Sequence, residues 1–211
     1  MADGSDGAHV IIRRLSDLPD EPSGAESKIA LTFDDGPHPQ WTNDMLDALA
    51  AHRAPATFFV LGDLATQYPH LVERMVRDGH TVGNHSWSHS GPSAADDADA
   101  QQEVLRTDEL LRELTGAPVR YFRPPYRKTD ASRYATLLAD RDIVTVTWSV
   151  DPRDWRGGDA ETISDAVLGA LHPGAIVLLH DGGGRDRTET VRAVPMIVSG
   201  ARALGYELVA M

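Results

Sequence analysis

Short strand-like segments alternate with helix-like segments along most of this chain, and this alternation constrains the fold more than any other feature. The strand candidates, rich in β-branched or other apolar residues, lie at 29–33, 56–60, 81–84, 120–123, 143–149, 175–179 and 206–209. Helical patterns lie at 43–52, 69–78, 96–115, 131–140, 160–171 and 188–204. Strands that alternate with helices pair in parallel through right-handed crossovers. The pattern therefore predicts an α/β fold, either a barrel or a doubly wound sheet.

The length and composition predict one domain. With 211 residues, 41% of them hydrophobic, the chain can bury a sizeable core. Residues 1–27 are rich in Gly, Ser, Pro, Asp and Glu, and we expect them to form a flexible segment before a single folded domain at 28–211.

The charge and residue usage exclude several kinds of partner. The formal net charge is -12, with 20 Lys and Arg against 32 Asp and Glu, so we expect no binding to nucleic acid or to an anionic membrane. No cysteine is present, and any metal ion must be held by His, Asp or Glu. No apolar run could span a bilayer, and the first residues lack the features of a signal peptide. We expect a monomer that is cytoplasmic or is a domain of a longer exported or anchored protein.

Polar residues follow the predicted strands where each strand ends. They are Asp34 and Asp35 after the first strand, His85 and His89 after the third, 123–126 after the fourth, 151–155 after the fifth, and His180 and Asp181 after the sixth. In a parallel barrel the carboxyl ends of all strands meet at one rim, where active sites of that architecture form. Residues that are far apart in sequence are therefore expected to converge.

The two adjacent carboxylates, Asp34 and Asp35, come directly after an apolar strand and before a Gly36-Pro37 turn signal. Carboxylates are seldom buried without a partner. Neighbouring side chains in a strand point to opposite faces, so we expect the two acids to have different roles.

A metal site is predicted from the histidines. His85 and His89 are four residues apart, which on one helical turn would place both rings on one face. Two His and one Asp leave coordination positions open, as in catalytic zinc sites, but the same set describes non-haem iron oxygenases. The rim also offers a spare carboxylate, an Arg, a further Asp and a further His. Those groups favour metal-assisted hydrolysis.

Five short motifs, in order, resemble those of a known family. They are TFDDGP at 32–37, HSWSH at 85–89, RPPY at 123–126, DPRDW at 151–155 and IVLLH at 176–180. Together they are similar to the motifs of the polysaccharide deacetylases, also called the NodB homology domain or carbohydrate esterase family 4. The resemblance covers 28–211 and implies a single-domain, distorted TIM-like barrel of about seven β/α units.

The resemblance implies a metal-dependent hydrolase and gives roles to individual residues. It implies that the ligands of a divalent ion, usually Zn²⁺ with Co²⁺ as an alternative, are Asp35, His85 and His89. It implies that Asp34 is the general base and that Arg123 pairs with it.

The remaining roles concern proton donation and substrate binding. The resemblance implies that His180 is the general acid and that Asp154 orients it. It further implies that the backbone N–H of Tyr126 contacts the oxyanion, and that Trp155 and Leu178 line the pocket for the acetyl methyl group.

The resemblance implies an N-acetylated glycan as substrate, such as chitin oligomers or the N-acetylglucosamine of peptidoglycan. An O-acetyl esterase acting on acetylxylan and a catalytically inactive carbohydrate-binding relative are the alternatives. An extracellular or cell-envelope location follows from such substrates. The run Gly182-Gly183-Gly184 lacks the Lys-Ser/Thr of a phosphate-binding loop, and we expect it to form only a tight turn.

Overall fold

A parallel sheet forms the centre of the fold. The computed structural model describes residues 11–19, 27–90, 96–126 and 131–211. Its strands are β1 (Ile11–Ile12), β2 (Lys28–Gly36), β3 (Thr57–Val60), β4 (Thr81–Asn84), β5 (Tyr121–Phe122), β6 (Val144–Val146), β7 (Ile176–His180) and β8 (Glu207–Leu208). The order in the sheet is β1-β6-β5-β4-β3-β2-β7, with β8 added to β2, and each of these pairs is parallel.

Helices connect successive strands, as the alternation predicts. They are α1 (Trp41–Ala51), α2 (Gly62–Gln67), α3 (Pro69–Arg77), α4 (Asp97–Thr115), α5 (Ala131–Leu137), α6 (Ala160–Ala170) and α7 (Thr188–Ala203). Within the described ranges, none of these helices combines the length and apolar character needed to span a membrane.

The sheet curls into a distorted barrel because β7 meets the chain that leaves β6. Val150 forms a parallel bridge with Val177, and the Leu178 N–H donates to the Val150 carbonyl oxygen at 2.9 Å. Arg14, just after β1, forms an antiparallel bridge with Ala175. Of the two architectures that the alternation left open, the barrel is therefore the observed one. This confirms the predicted distorted (β/α)7 fold.

The two faces of β2 have different surroundings, and this difference positions the site. Leu31 and Phe33 belong to the large apolar cluster that includes residues of α1, α6 and α7. Ala30 instead packs with Phe59 and other residues of a smaller cluster on the inner side of the barrel. Because strand side chains alternate, Asp34 follows Ala30 on the inner face.

Several predicted boundaries differ from the structure. β2 runs to Gly36, so the two carboxylates lie in the last residues of the strand and not beyond it. The short helix α2 was not predicted, because its six residues are too few to show a helical apolar period. The predicted strand at 143–149 shortens to the three residues of β6.

The predicted flexible N-terminal segment is wrong for residues 11–19. β1 pairs with β6, and a 3₁₀ turn at Leu15–Asp17 buries Leu15 among the inner apolar residues. The Leu15 N–H also donates to the Gly174 carbonyl oxygen at 2.9 Å. The short apolar patch therefore completes the barrel, whereas 1–10 and 20–26 lie outside the described residues.

Replacing Leu15 by alanine tests whether this segment stabilises the barrel. Leu15 is fully buried, so Leu15→Ala should lower the free energy of unfolding by about 2–5 kcal/mol through lost apolar contact and a residual cavity. Leu204 is 59% exposed, and Leu204→Ala should change the free energy of unfolding by less than about 0.5 kcal/mol. Urea unfolding measures both. Equal effects of the two changes would show that the segment does not contribute to stability.

Candidate active site

A buried ion pair on the inner face of the barrel holds Asp34. The Arg123 Nη1 donates to Asp34 Oδ1 at 2.7 Å and to Thr32 Oγ1 at 2.7 Å, and Nη2 donates to the Thr147 carbonyl oxygen at 3.0 Å. Arg123 is 0% exposed and its guanidinium lies 4.0 Å from the centre of the Phe59 ring. Burial lowers the pKa of Arg123, and the negative charge of Asp34 opposes that shift. The pair therefore holds the Asp34 carboxylate in one place.

Asp35 faces two imidazoles. Its Oδ1 lies 3.3 Å from His85 Nε2 and 3.1 Å from His89 Nε2, although no hydrogen bond of normal geometry from a described residue reaches this buried oxygen. Burial raises the pKa of Asp35, but the two nearby imidazoles outweigh it and hold this pKa well below the ordinary value. Burial lowers the pKa of His85, yet the charges of Asp34 and Asp35 raise it overall.

The orientation of His85 leaves one ring nitrogen available. Its Nδ1 lies 2.7 Å from the Arg123 carbonyl oxygen, and because a carbonyl only accepts, Nδ1 carries the proton and donates. Nε2 then presents its lone pair toward Asp35. Metal-binding histidines use this arrangement, in which a second hydrogen bond fixes the tautomer and the ring.

These three residues fit a divalent metal ion. One ligand atom from each of Asp35, His85 and His89 can be chosen so that all lie within 4.8 Å of one another. A cation would give the unpartnered Asp35 oxygen a binding partner. Two imidazole nitrogens and one carboxylate oxygen form a set of metal ligands that suits zinc.

The helical turn predicted for the two histidines is wrong. His85 and His89 lie in a loop after β4, and their ring centres are 5.1 Å apart. The loop reverses through Ser86 and His89, whose φ angles are 73° and 59°. Non-glycine residues reach this region only when their surroundings hold them there.

Hydrogen bonds from inside and outside the loop hold this backbone. The Ser86 N–H donates to Asn84 Oδ1 at 2.9 Å, and the His89 N–H donates to Ser86 Oγ at 3.2 Å. The Ser88 N–H donates to Glu103 Oε2 on α4 at 2.8 Å. Asn84 and Glu103 thereby support the histidines, and the sequence motif gave no sign of either residue.

A second acid–base pair faces the same pocket from β7. His180 Nδ1 lies 2.7 Å from Asp154 Oδ1, and the backbone N–H of His180 donates to Asp154 Oδ2 at 3.0 Å. Thr190 on α7 donates to the same Oδ2 at 3.1 Å. Burial lowers the pKa of His180, but the bonded Asp154 carboxylate raises it overall. The Asp154 carboxylate therefore stabilises the imidazolium form of His180.

A cavity of about 640 Å³ brings most of the predicted site residues together. The sequence-predicted residues among its lining are Asp34, Asp35, His85, His89, Tyr126, Trp155, Leu178 and His180. Arg123 and Asp154 are absent from this lining and hold Asp34 and His180, respectively, by hydrogen bonds. Tyr126 is 65% exposed, and its ring lies edge-on to His89 with ring centres 4.3 Å apart. The role predicted for its backbone N–H remains a prediction.

Asp181 is a buried carboxyl group that the sequence analysis did not assign. The Thr42 Oγ1 donates to its Oδ2 at 2.5 Å, and its Oδ1 has no partner among the described residues. Burial raises the pKa of Asp181 to about 7, with smaller contributions from the charges of Asp35 and Asp34. Its place directly after His180 was visible in the sequence, but nothing there distinguished it from a solvated turn residue.

The chain is similar over most of its length to proteins of one family. The family model described as polysaccharide deacetylase matches residues 22–141. A chitooligosaccharide deacetylase of Sinorhizobium fredii is 40% identical over 202 residues, which are 91% of this chain and 93% of that protein. A peptidoglycan-N-acetylglucosamine deacetylase of Bacillus cereus is 35% identical over 188 residues, which are 88% of this chain and 67% of that protein.

A solved structure agrees with these relatives. It is a peptidoglycan N-acetylglucosamine deacetylase in complex with 4-naphthalen-1-yl-N-oxidanyl-benzamide, with a TM-score of 0.83, 32% identity, and coverage of 95% of this chain and 90% of that chain. The barrel and its rim site define the class, an α/β-barrel of the carbohydrate esterase type. The chain belongs to the polysaccharide deacetylase family, the NodB homology domain, which confirms the family that the five motifs indicated.

The raised pKa of Asp181 predicts that the metal-free protein loses stability as pH rises. The folded state binds the proton more tightly than the unfolded state, whose pKa is 3.8. The stabilisation from this bound proton is therefore fully present below pH 3.8 and is lost as the pH rises through about 7. Asp181→Asn keeps the group neutral, so its stability relative to wild type should rise by about 2–3 kcal/mol between about pH 5 and about pH 8.

Urea unfolding of chelator-treated protein at both pH values measures this difference. Asp165→Asn, on an exposed position of α6, removes the same formal charge and should show no such pH dependence. A constant difference between Asp181→Asn and wild type would contradict a protonated, buried Asp181.

Proposed function

We propose that this protein is a metal-dependent hydrolase that removes acetyl groups from N-acetylated glycans, such as chitin oligomers or the N-acetylglucosamine of peptidoglycan. One observation supports this most strongly. One pocket is lined by the carboxylate of the Asp34–Arg123 pair, by the imidazole of the His180–Asp154 pair and by the metal-compatible group. The similar proteins are named for activities of the same kind.

Asp35, His85 and His89 would hold the ion, for which zinc suits the donor set and Co²⁺ is an alternative. When bound, such an ion lowers the pKa of coordinated water to about 7 and polarises a carbonyl oxygen. Asp34 Oδ2 lies 3.8 Å from His85 Nε2, beside this group and open to the pocket.

Two proton transfers are assigned to the two flanking pairs. Asp34, held by Arg123, accepts the proton of the attacking water. His180, kept protonated by Asp154, donates its proton to the departing amine of the sugar. Amide cleavage needs this second transfer because an unprotonated amine is a poor leaving group. The opposite environments of the base and the acid let one pocket perform both steps.

Apolar and aromatic groups shape the rest of the pocket. Leu178 is buried beside His180 and, with Trp155, would contact the acetyl methyl group. Trp155 and Tyr126 are both exposed at the mouth, where flat rings can pack on a sugar. We also propose an extracellular or cell-envelope location, because glycans of this kind lie there, as a domain of an exported or anchored protein.

Acetate release from chitooligosaccharides, peptidoglycan and acetylxylan, with metal analysis of the same sample, tests the proposed function. We expect release from the N-acetylated substrates, loss of activity after chelation, and recovery on addition of zinc or cobalt. Release only from acetylxylan would contradict the amide preference. Glycan binding without any release would support a binding-only relative, and iron with 2-oxoglutarate-dependent turnover would overturn the hydrolase assignment.

The two adjacent carboxylates should respond differently to the same change. Asp34→Asn should keep the metal but lower kcat by about 10²–10⁴-fold, because the base is lost while the amide oxygen still accepts from Arg123. Asp35→Asn should lose metal binding. Metal stoichiometry and kcat are measured for both, with Asp165→Asn as a control on α6. Unchanged turnover in Asp34→Asn would show that another group is the base.

A further inference from the structure

The loop after β7 contacts Asp35 so closely that side chains are excluded at two of its positions. A Cβ atom placed on Gly182 would collide with the Asp35 backbone carbonyl, and one placed on Gly183 would collide with Asp35 Oδ2. At Gly184 a Cβ atom would meet no described residue within 4 Å. The glycines at 182 and 183 are thus required by contact with Asp35, beyond the tight turn that the sequence predicts.

The backbone of Asp35 needs such support. Its φ angle is 74°, and the pairing of β2 with β3 shifts register between Asp34 and Gly36. A non-glycine residue in this left-handed region is strained and persists only where the surrounding structure holds it. The Asp181 N–H contributes by donating to the Asp34 carbonyl oxygen at 3.1 Å.

Arg187 fixes the loop from behind. It is 2% exposed, and its Nε donates to the Gly182 carbonyl oxygen at 2.7 Å. Its Nη2 lies 3.1 Å from the Cβ position built on Gly183, the same position that Asp35 Oδ2 crowds. The guanidinium and the carboxylate therefore both lie beside the Cβ position of Gly183, and a methyl group there would meet both.

We propose that Gly182, Gly183 and Arg187, which we name the glycine clamp, are positioning residues for the metal ligand Asp35. The clamp packs against the backbone and Oδ2 of Asp35, while Oδ1 faces His85 and His89. A ligand whose orientation is fixed before binding loses less freedom when the ion arrives, so metal affinity is higher. The inference rests on the proposed metal site and deepens it.

The loop offers a matched pair of substitutions for the test. Gly183 and Gly184 have φ angles of 87° and 75°, so alanine brings a similar backbone cost at both positions. Of these two positions, only Gly183 would bring the added methyl group against Asp35. On the full chain, stripped of metal, the Kd for Zn²⁺ is measured by competition with a chromophoric chelator. Gly183→Ala should raise Kd about 10–100-fold, and Gly184→Ala should leave it unchanged within about twofold.

The absorption spectrum of the Co²⁺-loaded protein gives a second readout, which should change for Gly183→Ala and not for Gly184→Ala. Similar Kd values and spectra for the two variants would overturn the glycine clamp while leaving the proposed function in place. Failure of the wild type to bind Zn²⁺ or Co²⁺ would instead overturn the metal-dependent function, and the clamp with it.

A second pair keeps the test decisive if Gly183→Ala does not fold. Arg187→Met removes the buried guanidinium, and Arg192→Met removes a guanidinium that is exposed on α7 and paired with Glu189. We expect weaker Zn²⁺ binding, again about tenfold or more, for Arg187→Met alone. Equal Zn²⁺ affinity in these two variants would overturn the role of Arg187.

Discussion

The buried ion pair between Arg123 and Asp34 is the interaction on which the site depends. One guanidinium contacts oxygens of β2 and of the chain after β6, so it joins opposite walls of the barrel. The carbonyl of the same residue accepts from His85 and fixes the tautomer of a metal-compatible ring. Removing one member of a buried pair typically costs about 3–5 kcal/mol, because the other charge is left unpaired in an apolar interior. The Asp34 carboxylate, the His85 ring and two walls of the barrel are thus tied to one residue, Arg123.

Backbone strain is concentrated around the same pocket. Among the described residues, the non-glycine positions with positive φ include Asp35, Ser86, His89, Tyr126 and Arg153, all in or next to the five motifs. Such conformations persist where packing and hydrogen bonds hold them. Some of the supports come from outside the rim motifs, from Glu103 on α4 and from the loop that Arg187 anchors. Helices that carry no reactive group therefore still determine the geometry of the site.

The regular part of the fold could be predicted because parallel strands buried on both faces leave clear apolar runs. β4 matches its predicted bounds, and α3, α4 and α7 differ from prediction by a residue at their ends. The misses have local causes. β1 is two residues long and gains its place only by pairing with β6, and α2 is too short to show a period. Neither element has enough local signal to be seen without its tertiary partners.

The sequence by itself determined the α/β class, the family and the set of residues that meet at one rim, because strand ends in a parallel barrel share an edge and the motifs name the groups. Tertiary structure decided how those groups face one another. The register shift at Asp35, the loop that replaces a helical turn between His85 and His89, and the raised pKa of the buried Asp181 depend on contacts between distant segments. Side-chain direction and pKa follow from such contacts, and local sequence does not contain them.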